Sequence, residues 1–410
     1  MKKILGSVLL AYVGLALLFV GANAMGLPAT GVSSWPLTSF HRNPEQAVGG
    51  LVPEGLWQPD RELLKRNVNL LPAVGVSRMA GNSVRLALGQ TSEWVFEGGR
   101  DPMALFWTGE LWVSRGTNPR IEHELQRVAE IIGAYKQQLA SEGWTLVVVP
   151  VPTKLGVHRE WADWPLGGVD LLSRDPLLED RSDEVYQAFH LALDRQGVTS
   201  VDLQRVFREL VAREPTAAVF PPNETHWSGA GIRSAADATA RAIASVSPLQ
   251  SRSPRRPTFQ TVPLVGDLVK AYDPLPSANS RLRSIWTFED RLLSGDMGHA
   301  YSLPANASGL VVVLGTSYTG QYTWLPQPVG FAGQLGLHLE NVEVQNRPIA
   351  GQGSFKSFEF FWDHRKEIEG EFASRQGVGR PRVVIWEMPV RDLPGIGEST
   401  LSWSQRLGWH

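Results

Sequence analysis

An unbroken apolar run that ends in a glycine and delivers a serine constrains this chain more than any other feature. Residues 311–314 are Val-Val-Val-Leu, and Gly315, Thr316 and Ser317 follow directly. A continuous β-branched run of this kind is typical of a parallel strand that is buried on both faces. Ligands of open α/β sheets bind where such strands end and the chain turns into a helix. Ser317 is therefore a candidate nucleophile.

A serine hydroxyl is a weak nucleophile until a base takes its proton, so the chain has to supply that base. Glu224 and His226 lie two positions apart, far upstream of the serine, and in extended chain their side chains point to the same side. Ser317, His226 and Glu224 fit the scheme of nucleophile, base and orienting carboxylate. Each piece alone is more often a helix cap or an ordinary polar pair, but a shared sheet edge favours a site.

Strands and helices alternate along the chain from Pro119 onward. This alternation implies right-handed crossovers and a parallel sheet of about five strands flanked by helices, an α/β fold of the flavodoxin-like kind. Backbone amides at the start of the helix after Ser317 are candidates for an oxyanion hole. Strands are predicted over 144–151, 198–203, 311–314, 342–346 and 382–387. Helices are predicted over 119–142, 183–196, 229–246, 328–338 and 354–374, together with one that follows the second strand and ends at 213. Ser228 is the predicted N-cap of the helix over 229–246.

A proline-, serine- and arginine-containing stretch, residues 247–308, interrupts this rhythm. Long excursions inside compact domains are often lids or binding loops, and we expect this one to be of that kind.

Composition excludes several classes of function. The net charge of −2 provides no global basic field for nucleic acid. The absence of cysteine excludes disulfides, thiolate metal sites and cysteine nucleophiles. Gly351-Gln352-Gly353 lacks the third glycine of a dinucleotide loop, and no HExxH zinc motif is present. The sequence therefore predicts neither a cofactor nor a metal. Its 15 tryptophans are core residues or sugar platforms.

The N-terminus predicts the compartment. Lys2 and Lys3 precede an apolar run, and small residues at Ala22 and Ala24 form a cleavage-type site. Residues 1–24 are therefore predicted to be a signal peptide or an uncleaved signal anchor, which places the rest in the periplasm, either free or anchored to the inner membrane. Residues 25–80 are predicted to be a linker and lead-in, residues 81–395 the catalytic domain, and residues 396–410 a tail.

Four motifs in order carry a family resemblance: Pro150-Val-Pro-Thr-Lys154, Glu224-Thr-His-Trp227, Gly315-Thr-Ser-Tyr318 and Ile385-Trp-Glu-Met-Pro-Val-Arg391. Together they resemble the alginate O-acetyltransferase family of the AlgJ/AlgX type, whose SGNH-hydrolase-like domain has an Asp-x-His piece before the serine. The resemblance covers about residues 80–395. It implies that Ser317 accepts the acetyl group, that His226 is the base, and that Glu224 stands in place of the family's aspartate.

The resemblance also implies an extracytoplasmic O-acetyltransferase that modifies hydroxyls of an exopolysaccharide. It implies a membrane-bound O-acyltransferase partner that supplies acetyl groups at the inner membrane. Lys154, Tyr318, Tyr322 and Arg347 are candidate substrate-binding residues, although packing or a solvated charge explains each of them equally well. Two alternatives stay open. One is a carbohydrate acetyl esterase with the same residues, and the other is a non-catalytic polysaccharide-binding or assembly subunit, which the Glu224 substitution favours.

Overall fold

The computed structural model describes residues 95–97, 104–107, 110, 113, 116–161, 181–252, 259–268, 287–293, 306–323, 325, 329–350 and 353–393. The predicted signal segment, the predicted linker and the predicted C-terminal tail lie outside these residues. The chain divides into two compact units, residues 1–96 with 271–284 and residues 97–270 with 285–410. Within the described ranges, no helix combines the length and the apolar character needed to cross a membrane.

The strands among the described residues are β1 (Val95–Glu97), β2 (Leu105–Trp107), β3 (Trp144–Val151), β4 (Thr199–Ser200), β5 (Phe259–Val265), β6 (Thr287–Leu293), β7 (Gly309–Gly315), β8 (Val342–Pro348) and β9 (Arg382–Pro389). A five-stranded parallel sheet forms the centre of the second unit, in the strand order β4-β3-β9-β7-β8. Strand β9 lies between β3 and β7, with Ile385 in register with both Val147 and Val313. The predicted α/β class and the predicted parallel sheet are therefore confirmed.

Helices cover both faces of this sheet, which explains why every residue of β7 is buried. Alternate strand residues face opposite sides, so Val312 and Val384 belong to one apolar cluster and Val313 and Ile385 to another. The first cluster includes α1 (Pro119–Ser141), α3 (Ser182–Arg195) and α8 (Ser354–Gln376), and the second includes α4 (Leu203–Arg213), α5 (Gly229–Val246) and α7 (Phe331–His338). Two short helices, α2 (Lys154–Val157) and α6 (Ser317–Gly320), follow the carboxyl ends of β3 and β7.

Most predicted boundaries agree with the structure, and Ser228 caps α5 as predicted by accepting the N–H groups of Ala230 and Gly231. The strand predicted over 198–203 is wrong in length, because β4 comprises only Thr199–Ser200. Asp202 ends it by capping α4, where its side chain accepts the Arg205 N–H at 3.0 Å. The excursion at 247–308 contains an antiparallel ribbon formed by β5 and β6.

Candidate active site

Ser317 is the first residue of α6, directly beyond the carboxyl end of β7. Thr316 forms the N-cap, and its side chain accepts the Tyr318 N–H at 3.3 Å. The glycine before it is required by packing, because a Cβ atom at Gly315 would lie 2.3 Å from Oε2 of Glu387. A residue without a side chain therefore lets β7 end against a buried carboxyl group of the neighbouring strand.

Glu387 holds the turn that presents the serine. Its Oε2 accepts the Thr316 N–H at 2.7 Å, and the Thr316 hydroxyl lies 3.2 Å from Oε1 and 3.1 Å from Oε2. The side chain is fully buried, and this burial raises the pKa of Glu387 to about 8 despite hydrogen bonds from Thr316 that lower it. Glu387 is therefore largely protonated at neutral pH, and it acts on Ser317 through the backbone of Thr316.

Two hydrogen bonds tie the loop that carries the histidine to the serine turn. The indole N–H of Trp227 donates to the Tyr318 carbonyl at 2.9 Å, and the Tyr318 hydroxyl donates to the Thr225 carbonyl at 2.8 Å. Trp227 and Tyr318 are buried, with their rings 5.6 Å apart and nearly perpendicular. These contacts lie on either side of His226, so they set the distance between its ring and Ser317.

The structure brings Ser317, His226 and Glu224 into one hydrogen-bonded chain. His226 Nε2 lies 2.7 Å from the Ser317 Oγ, and its Nδ1 makes a short hydrogen bond with Oε1 of Glu224. Burial raises the pKa of Glu224, but the hydrogen bond and the charge of His226 outweigh it and lower the pKa to about 2. Glu224 is therefore ionised at neutral pH and can hold Nδ1 as the protonated nitrogen, leaving Nε2 to accept the serine proton.

Asp267, in the segment directly after β5, also reaches this site. Its backbone N–H donates to Glu224 Oε2 at 2.9 Å, and its carboxylate accepts the Thr225 N–H at 2.8 Å and the Thr225 hydroxyl at 2.5 Å. Its Oδ2 lies 3.7 Å from His226 Nδ1. Sequence reasoning missed this residue, because a single aspartate in an irregular stretch belongs to no recognisable motif. Only the stretch as a whole, residues 247–308, was predicted to be a lid or binding loop.

The ligand atoms of Glu224, His226 and Asp267 lie within 4.8 Å of one another, a separation that a metal ion can also bridge. These atoms already take part in the hydrogen bonds of the triad and of Thr225. One imidazole and two carboxylates can form a metal site, but the same groups also make up a histidine base with orienting carboxylates. We therefore interpret the cluster as acid–base machinery and assign no metal to it.

Lys154, a candidate substrate-binding residue, is buried beneath the histidine loop. Its ammonium donates to the Pro222 carbonyl at 2.6 Å and to the Glu224 carbonyl at 3.3 Å. These contacts give it a clear role in supporting the loop that carries Glu224 and His226. Its predicted contact with substrate stays a prediction.

The other candidate substrate-binding residues also lie near the serine edge of the sheet. Tyr318 and Tyr322 are buried, and the Tyr318 ring packs 4.9 Å from the imidazole of His226. Tyr322 adopts a left-handed backbone with φ of 63°, which is uncommon for a bulky residue. Arg347, near the end of β8, is half-buried and donates to Gln345 at 3.3 Å. The predicted substrate contacts of these three residues also stay predictions.

A buried ion pair supports Tyr318 from the side. Arg391, two residues beyond the end of β9, pairs with Glu110 at 3.1 Å, and its guanidinium lies 5.1 Å from the centre of the Tyr318 ring. Burial raises the pKa of Glu110, although the charge of Arg391 opposes this shift. Residues 385–391, the last of the four motifs, thus contribute to the site indirectly. Glu387 binds Thr316, and Arg391 lies beside Tyr318.

Comparison with known proteins agrees with this architecture. A family model described as the SGNH hydrolase-like domain of the acetyltransferase AlgX matches residues 104–390, well over half of the chain. The chain is 26% identical over 294 residues to the probable alginate O-acetylase AlgJ of Pseudomonas syringae pv. tomato, covering 70% of this chain and 68% of that protein. It is 28% identical over 280 residues to the protein of the same name from Pseudomonas putida, covering 67% of this chain and 65% of that protein.

Two solved structures share the fold. The O-acetyltransferase domain of Pseudomonas putida AlgJ matches with a TM-score of 0.50 and 25% identity, covering 73% of this chain and 92% of that domain. AlgX of Pseudomonas aeruginosa matches with a TM-score of 0.50 and 20% identity, covering 75% and 70%, which supports the fold alone. The predicted family is therefore confirmed: the chain belongs to the SGNH hydrolase-like AlgX acetyltransferase domains and is an O-acetyltransferase.

Proposed function

We propose that this enzyme transfers acetyl groups to hydroxyls of an alginate-like exopolysaccharide through an acetyl-Ser317 intermediate. The observation that carries the proposal is the 2.7 Å contact between Ser317 Oγ and His226 Nε2, with Nδ1 held by an ionised Glu224. The relatives named as probable alginate O-acetylases support the choice of acceptor.

The first half-reaction acetylates the serine. His226 Nε2 takes the Ser317 proton as the serine oxygen bonds to the acetyl carbonyl carbon of the donor ester, and Glu224 stabilises the imidazolium that forms. The carbonyl oxygen becomes an oxyanion. Among the amides of the turn, that of Tyr318 already donates to Thr316, so the Ser317 amide is our candidate donor to the oxyanion. The donor's bond to the acetyl carbon then breaks, and its alcohol leaves with the proton from His226.

The second half-reaction releases the acetyl group to the polysaccharide. The neutral His226 takes a proton from a sugar hydroxyl, whose oxygen bonds to the acetyl carbon of acetyl-Ser317. The bond to the serine oxygen breaks, and His226 returns the proton to Ser317, which restores the enzyme. Attack by water in place of the sugar gives the esterase reaction with the same residues.

The basic start and apolar run of residues 2–22 support a place outside the cytoplasm, where such a polysaccharide is accessible. At that location, acetyl groups have to arrive across the inner membrane. We therefore extend the proposal to a membrane-bound O-acyltransferase partner that supplies the donor at the membrane surface.

Intact-protein mass spectrometry after exposure to an activated acetyl ester tests the mechanism in wild type and in the Ser317→Ala variant. We expect a one-acetyl adduct that maps to Ser317 in wild type and is absent from the variant. Oligosaccharides of unacetylated alginate are then added to the acetylated enzyme. Acetylated sugar supports transfer, whereas free acetate alone indicates an esterase. Absence of an adduct, combined with glycan binding that survives Ser317→Ala, indicates a binding subunit.

A further inference from the structure

The segment after β5 docks onto the histidine loop by direct backbone contact. A Cβ atom at Gly266 would lie 1.7 Å from the Asn223 carbonyl oxygen and 2.3 Å from its carbon, so glycine alone permits this approach. Leu268, on the other side of Asp267, is 2% exposed. Asp267 is therefore held between a backbone contact and a buried side chain, so its position is set by packing on both sides.

Asp267 and Glu224 support each other at the imidazole. The Glu224 carboxylate uses Oε1 for His226 and Oε2 for the Asp267 N–H. The Asp267 carboxylate in turn accepts both the N–H and the hydroxyl of Thr225, the residue between Glu224 and His226. Glu224 is one methylene longer than an aspartate, and the Asp267 N–H fixes where this longer side chain ends.

We propose that Asp267 is a second positioning carboxylate of the catalytic histidine, and that its negative charge assists the base in proportion to its ionisation. The inference rests on the proposed role of Ser317 and His226. Because Asp267 Oδ2 lies 3.7 Å from Nδ1, an ionised Asp267 stabilises the imidazolium that forms when Nε2 takes the serine proton. A protonated Asp267 retains the docking contacts of its backbone but lacks this effect.

Several other polar and charged groups surround the imidazole of His226. Among the described residues, Glu224, Ser317 and the Thr225 hydroxyl, 3.3 Å from Nδ1, contact the imidazole directly. Tyr318 packs against the ring, and Arg391, paired to Glu110, lies on the far side of Tyr318. Lys154 lies beneath the loop and binds the Glu224 carbonyl. Partial burial and the charge of Glu224 raise the pKa of Asp267 to about 6, so Asp267 changes its charge over a range in which Glu224 stays ionised.

The test compares the rate of Ser317 acetylation in wild type and Asp267→Asn across pH, using a chromogenic acetyl ester. Near pH 8, where Asp267 is ionised, we expect wild type to be about tenfold faster than the variant. Near pH 5 both proteins carry a neutral side chain at this position, so the ratio should approach one. Asp267→Glu should restore part of the rate and the pH-dependent ratio. Asp194→Asn, which changes an exposed aspartate on α3, should match wild type throughout.

A merely structural role gives a ratio that is the same at every pH, and that result overturns the proposal. Gly266→Ala, which displaces the segment without removing the charge, should lower the rate near pH 8 as Asp267→Asn does. If Asp267→Asn fails to fold, Asp267→Ser replaces it, because its hydroxyl can still accept the Thr225 N–H.

A measurement without turnover separates this inference from the proposed function. The ring protons of His226, identified by their loss in His226→Gln, are followed by NMR as pH changes. We expect the pH dependence of these signals to differ between wild type and Asp267→Asn, because only wild type carries a titrating carboxylate 3.7 Å from Nδ1. Failure of Ser317 to accept acetyl refutes the proposed function, whereas identical His226 curves in wild type and Asp267→Asn refute the role of Asp267.

Discussion

Glu387 accepts the backbone N–H of Thr316 at 2.7 Å, so a fully buried carboxyl group holds the residue directly before Ser317. A protonated carboxyl and a carboxamide have nearly the same shape, and each offers an acceptor oxygen. We therefore expect Glu387→Gln to retain most of the Ser317 acetylation rate at neutral pH. Glu387→Ala leaves the buried Thr316 N–H without its acceptor, which costs about 1–3 kcal/mol of unfolding free energy and displaces the serine. Urea unfolding and acetylation rates check both variants, and an unaffected Glu387→Ala would refute this role.

The raised pKa of Glu387 also predicts how stability depends on pH. Between pH 4.5, the ordinary pKa of a glutamate, and about pH 8, the folded protein keeps a proton on Glu387 that the unfolded chain has released. The stabilisation that this proton gives the folded state is therefore lost progressively as pH rises through this window, and it is absent above about pH 8. Glu387→Gln removes this titration, so its melting temperature should fall less than that of wild type between about pH 5 and pH 8. Parallel curves for the two proteins would contradict the assignment.

Two substitutions of Glu224 separate its charge from its length. Glu224→Gln removes the charge that holds the Nδ1 proton and stabilises the imidazolium, so acetylation should slow by about 10³- to 10⁴-fold. Glu224→Asp keeps the charge but shortens the reach toward the Asp267 N–H, and we expect a loss of about 10- to 100-fold. Rapid-mixing measurement of Ser317 acetylation distinguishes the two. Glu214→Gln, at an exposed position, is the matched control, and equal rates for Glu224→Gln and wild type would remove Glu224 from the mechanism.

Tyr318→Phe tests the bond between the serine turn and the histidine loop. The substitution leaves the ring packing intact but removes the donor to the Thr225 carbonyl, a contact of 2.8 Å. We expect a loss of about 1–3 kcal/mol in the free energy of unfolding, with a smaller fall in the acetylation rate, because Trp227 still links the two segments. Chemical denaturation measures the first effect. A variant as stable as wild type would show that this hydrogen bond adds nothing.

Lys154→Met tests whether the buried ammonium supports the histidine loop. Methionine has a similar length, but it cannot donate to the carbonyls of Pro222 and Glu224. Buried carbonyls that lose a charged donor are left poorly satisfied, so we expect destabilisation of about 2–4 kcal/mol and a slower acetylation step. Melting temperature and single-turnover acetylation check this. A variant that keeps its stability and loses only affinity for oligosaccharide would instead support the predicted substrate contact.

The order of strands and helices was predictable from local patterns. Apolar runs such as 311–314 and the three- and four-residue spacing of α1 are local properties, and both elements form where predicted. Ser317 was predictable because it follows a buried strand, and His226 and Glu224 because two residues of catalytic type lie at a spacing of two. The structure places the three in contact.

Only the tertiary structure shows what holds that site. The triad is supported by three side chains from segments that are distant from it in sequence: Asp267, Glu387 and Lys154. No local sequence pattern around any of them indicates which residue it contacts. Each is charged or titratable and wholly or partly buried, so its role depends on which atoms fold against it. The sequence by itself determined the order of elements and the candidate triad, since those follow from short-range periodicity and residue type. The supporting groups required the fold, because long-range packing alone decides which buried polar atoms meet.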